Sequence, residues 1–499
     1  MKLTELIGCA GPLAVGPRLA DPEILGLSAD SRLVRPGFLF AALPGAQLDG
    51  RTFTAEAVSR GAVAILTDNA DALGLPPEPR EALAILVDAH PQRRLAVLAA
   101  RFHGRQPRIV TAVTGTNGKT SVVHFTREIW TKLGLAAASL GTLGLVTTGE
   151  QRPGALTTPD PVALHRDLAM LAAKGIEHVV LEASSHGLHQ RRLDGVRVTA
   201  GSFTNLTRDH LDYHGDMAHY RTAKDGLFTR LLAPGGIAVL NADSDEFPRL
   251  AALCRELGHP VLAYGTDGSA ELHLLSCEPK GSSQVLVLEI LGQRYELVLP
   301  LAGSFQAMNA LAALGLVIAT DGPVGRATEA LAHLTGVPGR LQFVAECEGG
   351  GAIVVDYAHT PDALATVLAT LRPHANGRLA VLFGCGGDRD AGKRPLMGRA
   401  AAHLADRVYV TDDNPRSEQP AEIRRAILSA APNAVEIGDR RRAIATAIAD
   451  IDPGDLLVIA GKGHETGQIV GNETHPFDDA VVARQIVRSD PQRCAWRIR

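Results

Sequence analysis

One stretch constrains this chain more than any other: an apolar run, then a glycine loop, then a helical pattern. Ile109-Val110-Thr111-Ala112-Val113 leads into Thr114-Gly115-Thr116-Asn117-Gly118-Lys119-Thr120-Ser121, after which Val122, Phe125, Ile129, Trp130 and Leu133 recur at helical spacing. Strand, loop and helix in that order predict an α/β layer with a phosphate cradle at the end of the strand. Glycines let backbone amides approach phosphate oxygens, and the helix N-terminus adds the positive end of its dipole. Lys119 is expected on the terminal phosphates and the Thr120 hydroxyl on Mg²⁺, which makes a site for ATP or GTP. The usual P-loop has a glycine where this chain has Val113. A glycine-capped strand–helix turn is the competing reading.

At 499 residues, 45% hydrophobic and 21% charged, the chain has material for about three globular domains. A formal net charge of −4 gives no reason to expect nucleic acid or an acidic membrane as partner, so anions must be held by local clusters. The six cysteines, Cys9, Cys254, Cys277, Cys347, Cys385 and Cys494, show no Cys-x-x-Cys spacing. That argues against a zinc ribbon or a disulfide scaffold and suits a reducing compartment. Residues 1–17 are neither basic at the start nor apolar enough for a signal peptide. The stretch near Leu311–Ala319 is too short to span a bilayer. A cytoplasmic chain without membrane insertion is expected.

Three blocks follow from the punctuation. Residues 1–107 carry short apolar runs, Phe38–Ala42, Val63–Leu66 and Leu83–Val87, between Gly/Pro turns, as in a small α/β unit. His103-Gly104-Arg105-Gln106-Pro107-Arg108 reads as a linker. The second block opens with the nucleotide loop and continues with a helix from Pro161 to Lys174, then the strand His178–Leu181 with Glu182 at its carboxyl end. The third block begins near Val337-Pro338-Gly339-Arg340. There the strands Ile353–Val355, Leu379–Phe383, Val408–Val410 and Leu456–Ile459 alternate with helical patterns such as Ala421–Leu428 and Arg441–Ile448. Such alternation predicts a parallel sheet covered by helices on both faces.

Several clusters carry chemistry at strand ends, where open parallel sheets bind ligands. Glu182-Ala183-Ser184-Ser185-His186-Gly187 offers a carboxylate for Mg²⁺; a solvated rim glutamate is the alternative. Thr207-Arg208-Asp209-His210-Leu211-Asp212-Tyr213-His214 concentrates metal-capable groups without the spacing of a structural zinc site, and a hydrogen-bonded loop competes. Lys224 by spacing alone reads as a surface lysine. In the third block, Asp356-Tyr357-Ala358-His359, Gly384-Cys385-Gly386-Gly387-Asp388-Arg389, Asp412-Asp413-Asn414-Pro415-Arg416 and Gly461-Lys462-Gly463-His464-Glu465 fall at one edge of the expected sheet. Polar groups from four turns at one edge point to a ligand site.

Taken together these motifs resemble the Mur ligases, ATP-dependent enzymes that extend the peptide of the bacterial cell-wall precursor. The resemblance covers nearly the whole chain, and the family's loop is of the Gly-Thr-x-Gly-Lys-Thr kind, which accounts for Val113. It implies an α/β chain of three domains. These are a small N-terminal α/β domain binding the uridine substrate (1–107), a central P-loop ATPase-like parallel-sheet domain (108–337) and a C-terminal Rossmann-like domain binding an amino acid (338–499). Lys119, Glu182, His210 and Lys224 are then the expected catalytic residues. Gly115, Thr116, Asn117, Gly118, Lys119, Thr120, Ser121, Asn309, Arg340 and Asp356 are expected on ATP. Thr120, Glu182, His210 and Lys224 would serve Mg²⁺, with Lys224 modified to a carbamate (N6-carboxylysine). Ser31, Thr157, Thr158, Ser184, Gln190 and Arg192 match positions that hold the UDP-muramoyl peptide.

The third-block motifs are similar to those of the branch that adds meso-diaminopimelate to UDP-N-acetylmuramoyl-L-alanyl-D-glutamate. Arg389, Asp413, Asn414, Pro415, Arg416, Gly461 and Glu465 match its amino-acid contacts. Meso-diaminopimelate differs from lysine by a distal carboxylate, which a guanidinium holds with paired hydrogen bonds; Asp-Asn-Pro-Arg therefore favours it over lysine. A monomer is expected, with linkers near residues 105 and 337 as hinges. Two rivals stand beside this reading. A sister ligase adding lysine, a dipeptide or folate glutamate should depart from Asp-Asn-Pro-Arg. A nucleotide-gated binding protein would need neither Lys224 nor an amino-acid pocket.

Overall fold

The short apolar runs become buried strands, and the order in which they pair decides which loops converge. The computed structural model describes residues 1–8, 14–15, 21–45, 48–76, 83–347, 350–489 and 496–498. Contacts group the chain into two units, Met1–Glu271 with Ala312–Ala327 and Leu272–Leu311 with Thr328–Arg499.

In the first unit, Ala84–Val87, Ala62–Thr67, Phe38–Ala41 and Gly26–Ser28 form a parallel sheet, edged by antiparallel Ala14–Val15. Pro at the first position starts the Pro91–His103 helix, and Gly104, at φ 73°, ends it by donating its N–H to Ala100 O, the left-handed cap that glycine permits. The expected linker therefore reduces to residues 104–108. A second sheet follows, with six parallel strands in the spatial order Val261–Gly265, Leu232–Asn241, Val198–Phe203, Ile109–Thr114, His178–Glu182 and Ala137–Gly141. Gly144–Val146 and Gln151–Arg152 add an antiparallel edge. Ile109–Thr114 lies between two strands far from it in sequence and is buried throughout. Its loop therefore opens between the ends of the His178–Glu182 and Val198–Phe203 strands. That central, crossed-over place is where parallel sheets bind ligands.

In the second unit, Leu272–Lys280, Ser283–Ile290 and Gln293–Leu299 form an antiparallel meander. A further sheet runs Val435–Glu436, Arg407–Val410, Leu379–Phe383, Leu456–Ala460, Ala352–Asp356, Gln342–Cys347 and Trp496–Ile498. The first five strands are parallel, as expected from the alternation; Gln342–Cys347, outside that expectation, pairs antiparallel with both of its neighbours, Ala352–Asp356 and Trp496–Ile498. Ile353 and Val355 face one apolar cluster and Ala352 and Val354 another, so helices cover both faces of the sheet. Arg440 and Asp479, both with side chains 0% exposed, pair within this unit through Nε–Oδ1 at 2.8 Å and Nη2–Oδ2 at 2.6 Å. Cys254, Cys277 and Cys385 are free thiols, whereas Cys347 is disulfide-bonded. Cys9 and Cys494 lie outside the described residues. No helix among the described residues is long and apolar enough to cross a membrane.

Candidate active site

The glycine loop is shaped by its neighbours. Gly115 has φ 141°, and a Cβ there would lie 1.9 Å from Thr204 Oγ1, so no larger residue fits. Thr116 N–H donates to Asn205 O (2.8 Å) and Asn117 N–H to Asn205 Oδ1 (2.9 Å). Thr204 Oγ1 donates to Asn117 O at 2.6 Å. Both partners follow the Val198–Phe203 strand, so the neighbouring strand end holds the loop open. Gly118 at φ 89° caps the Lys119–Lys132 helix, whose first internal bond runs from Val122 N–H to Gly118 O at 2.9 Å. The amides of Thr120 and Ser121 precede that bond and point out of the helix end, as a phosphate site requires. Lys119 Nζ donates to Gly115 O (3.0 Å) and Thr116 O (2.8 Å).

Glu182 is buried on the other side of the loop. Its carboxylate accepts from Thr120 Oγ1 (3.1 Å), Thr142 N–H (2.7 Å) and Thr142 Oγ1 (3.2 Å). Burial pushes its carboxyl up, against the opposing pull of Lys119 and the Thr142 amide. The rim-glutamate alternative is excluded by this burial. Gly141 makes room, because a Cβ there would meet Glu182 Oε1 at 2.2 Å. Thr120 and Glu182 present hard oxygen donors side by side, a set that suits Mg²⁺ completed by phosphate oxygens. Among the described residues no group of three or more His, Cys, Asp or Glu side chains could hold a metal ion alone.

Lys224 is not on the surface. It lies on the Met217–Gly226 helix, 1% exposed. Its Nζ donates to Gly115 O at 2.6 Å and sits 4.4 Å from the centroid of the Tyr220 ring. Tyr220 OH in turn lies 3.2 Å from Thr116 Oγ1. Burial first, and Lys119 second, hold the Lys224 amine well below the usual lysine range. A neutral amine is the form that attacks CO₂, so the environment suits a carbamate. His210, at φ 52°, packs its ring 4.8 Å from His186 and 6.4 Å from Tyr220. His210 and Lys224 therefore flank the same tyrosine. His214 beside them is pushed down to about 4, chiefly by burial and then by His186 and the other histidines, so His214 adds little positive charge at neutral pH.

Of the residues expected on the muramoyl peptide, all but Ser31 join one hydrogen-bonded chain, which runs through Thr142 and Glu182. Thr157 Oγ1 lies 3.2 Å from Thr142 Oγ1. Thr158 Oγ1 donates to Glu182 O (2.7 Å) and accepts from Ser184 N–H (3.0 Å). Arg192 donates from Nη1 to Thr158 O (2.8 Å) and from Nη2 to Gln190 Oε1 (2.6 Å). Ser31 stands apart from this chain, its hydroxyl donating to Glu56 Oε2 at 2.7 Å.

The second unit carries its own cluster. Asp356 accepts from Leu341 N–H (2.8 Å) and Ala358 N–H (2.7 Å), and burial pushes its carboxyl up. The Arg340 guanidinium lies 4.4 Å from the Tyr357 ring. Asn309 donates to Gln306 Oε1 at 3.0 Å on the Ser304–Ile318 helix. Arg416, at φ 52°, donates from its backbone N–H to Ile469 O (3.1 Å) and from Nη1 to Gly387 O (2.8 Å). A Cβ on Gly387 would lie 1.9 Å from Pro415 O, and one on Gly461 2.7 Å from Asp413 Oδ2. The two glycine turns thus let the ends of the Leu379–Phe383 and Leu456–Ala460 strands close on the Asp-Asn-Pro-Arg segment. Asn414 Nδ2 donates to Glu465 Oε2 at 2.9 Å. Arg389 is exposed and makes no hydrogen bond or ion pair with these residues among those described.

Thr142, Thr204, Asn205 and Tyr220 belong to these sites but escaped the sequence reading, which held Lys462 only as a member of its glycine turn. Only Tyr220 carried a legible signal, because it precedes Lys224 by four residues and so shares its helix face.

Comparison with known proteins agrees with this geometry. The family model described as "Mur ligase family, catalytic domain" matches residues 23–103, "Mur ligase middle domain" residues 113–317, and "Mur ligase, glutamate ligase domain" residues 339–463. The UDP-N-acetylmuramoyl-L-alanyl-D-glutamate–2,6-diaminopimelate ligase of Bradyrhizobium diazoefficiens is 53% identical, covering 96% of this chain and 97% of that one. The protein of the same name from Caulobacter vibrioides is 52% identical over 94% and 96%. A solved structure of a ligase of that name is 33% identical, covers 98% and 99%, and superposes with a TM-score of 0.74. MurF ligase from Thermotoga maritima in complex with ADP shares the fold at 21% identity, covering 93% and 96%, with a TM-score of 0.60. With its loop, buried glutamate and buried lysine in place, the chain belongs to the Mur ligase family.

Proposed function

We propose that this chain is an ATP-dependent amide ligase. It adds meso-diaminopimelate to UDP-N-acetylmuramoyl-L-alanyl-D-glutamate during peptidoglycan precursor synthesis, in the cytoplasm and as a monomer. Uridine recognition falls to residues 1–107, ATP to 108–337 and the amino acid to 338–499. The observation that carries the reading is the buried amine of Lys224 on the carbonyl of Gly115, because a nucleotide switch has no use for a desolvated lysine in its phosphate loop.

In the first step a side-chain carboxylate oxygen of D-glutamate attacks the γ-phosphorus of ATP, the bond to the β-phosphate oxygen breaks, and ADP leaves. Two anions meet here. Lys119 and the outward-pointing amides of Thr120 and Ser121 counter that charge as it shifts. Mg²⁺ held by Thr120 and Glu182, and a second ion served by His210 and carbamated Lys224, would supply further charge neutralisation. Thr157, Thr158, Ser184, Gln190 and Arg192 orient the peptide through their shared hydrogen bonds. In the second step the diaminopimelate amine attacks the acyl carbon, phosphate leaves with one former carboxylate oxygen, and the amine loses a proton. Arg416 keeps N–H groups beyond the one used on Gly387 O, and these suit the distal carboxylate that lysine lacks.

Oxygen tracing tests the chemistry. With the D-glutamate side-chain carboxylate labelled with ¹⁸O, one labelled oxygen should appear in released phosphate for each amide formed. Unlabelled phosphate would exclude the acyl phosphate.

A further inference from the structure

Lys462 has no part in the chemistry above, yet its side chain is 0% exposed. It sits after the Leu456–Ala460 strand, between Gly461 at φ 112° and Gly463 at φ 55°. A buried ammonium demands acceptors for its N–H groups. Those it has are Asn414 Oδ1 at 3.0 Å and Glu465 Oε2 at 3.2 Å. Asn414 Nδ2 donates to the same Glu465 oxygen at 2.9 Å, which closes a triangle.

Each corner is oriented by the other two. Asn414 Oδ1 also takes Ile469 N–H at 3.0 Å, so two donors fix the amide with its NH₂ toward Glu465. Glu465 Oε2 then receives two bonds from the interior, while the Glu465 side chain remains 35% exposed. Its other oxygen accepts no hydrogen bond among the described residues. We propose that Lys462 is a positioning residue for amino-acid recognition: it locks Asn414 and Glu465 so that the second, uncommitted oxygen of Glu465 receives the ammonium end of the diamino acid. This rests on the functional reading above.

The test compares Lys462→Met, which keeps length without charge or donor, with Lys462→Gln, which keeps a donor. Steady-state KM for meso-diaminopimelate, ATP and the UDP-linked dipeptide is measured beside Tm. Losing a charge-assisted hydrogen bond should raise the diaminopimelate KM of Lys462→Met about tenfold or more. The other two KM values should stay within about twofold, and Lys462→Gln should recover part of the loss. A lowered Tm with an unmoved diaminopimelate KM, or an equal rise in all three KM values, overturns the proposal. Should Lys462→Met fail to fold, an unmoved diaminopimelate KM in Lys462→Gln overturns it as well. Wild-type turnover separates the two failures. Normal wild-type kinetics beside an unmoved variant KM refutes the role of Lys462, whereas absence of wild-type product refutes the functional reading and this one with it.

Discussion

Lys224→Met removes an amine while keeping most of its volume, so packing and chemistry separate. Lys224 Nζ and Lys119 Nζ share Gly115 O at 2.6 and 3.0 Å. At an effective dielectric of about 20, two unit cations roughly 5 Å apart repel by about 3 kcal/mol. Burial disfavours the charge further, and both effects push Lys224 the same way. When the neutral amine attacks CO₂, a C–N bond forms, a proton leaves, and repulsion between Lys224 and Lys119 becomes attraction. Lys224→Met should therefore lower kcat by about 10²–10³-fold, or about 2.7–4 kcal/mol of transition-state stabilisation. Its Tm should equal or exceed that of uncarbamated wild type. The pH dependence has a definite sign. Between the depressed folded value and the ordinary lysine value, the unfolded chain binds one more proton than the folded one, so wild-type stability rises with pH across that window. The Tm advantage of Lys224→Met should thus shrink from about pH 7 to about pH 10. Phosphate release with and without bicarbonate, beside thermal melts, reads both effects. A variant with near wild-type kcat, or wild-type activity indifferent to removing and restoring bicarbonate, would refute the reasoning.

Two further perturbations probe the surrounding structure. Thr142→Val removes one hydroxyl donor from buried Glu182 and keeps the amide, so kcat should fall by about tenfold. Because that hydroxyl helps hold the Glu182 carboxyl down against burial, the acid limb of kcat/KM should move to higher pH; a limb that stays or moves down contradicts the assignment. Arg440→Met strands Asp479 in the interior and should cost about 3–5 kcal/mol in urea unfolding, whereas a loss under about 1 kcal/mol would mean that the pair is solvated.

The sequence showed what lies in contiguous stretches. The loop at Thr114–Ser121, the strand ending in Glu182 and the parallel strands of the third block each announce themselves by pattern. It did not show what crossovers bring together. Thr142, Thr204 and Asn205 are ordinary polar residues after strands, and they matter because the strand order sets their loops beside residues 115–118 or Glu182. Lys224 reads as a surface lysine by spacing; only the resemblance singled it out, and the structure explains why by burying it on Gly115 O. The antiparallel meander from Leu272 to Leu299 passed unread although Ser283–Ile290 alternates buried and half-buried positions almost throughout. Lys462 was legible as part of its turn, but its burial was not, because charge in a glycine-rich turn ordinarily means exposure.

The most direct measurement is the product mass formed from ATP and UDP-N-acetylmuramoyl-L-alanyl-D-glutamate with meso-diaminopimelate or L-lysine in parallel, for wild type and Arg416→Met. The account predicts a wild-type product with diaminopimelate alone, preferred over lysine by up to about 10⁴-fold, and loss of most of that preference in Arg416→Met. Comparable wild-type product with lysine, or phosphate release that needs neither amino acid, would contradict it.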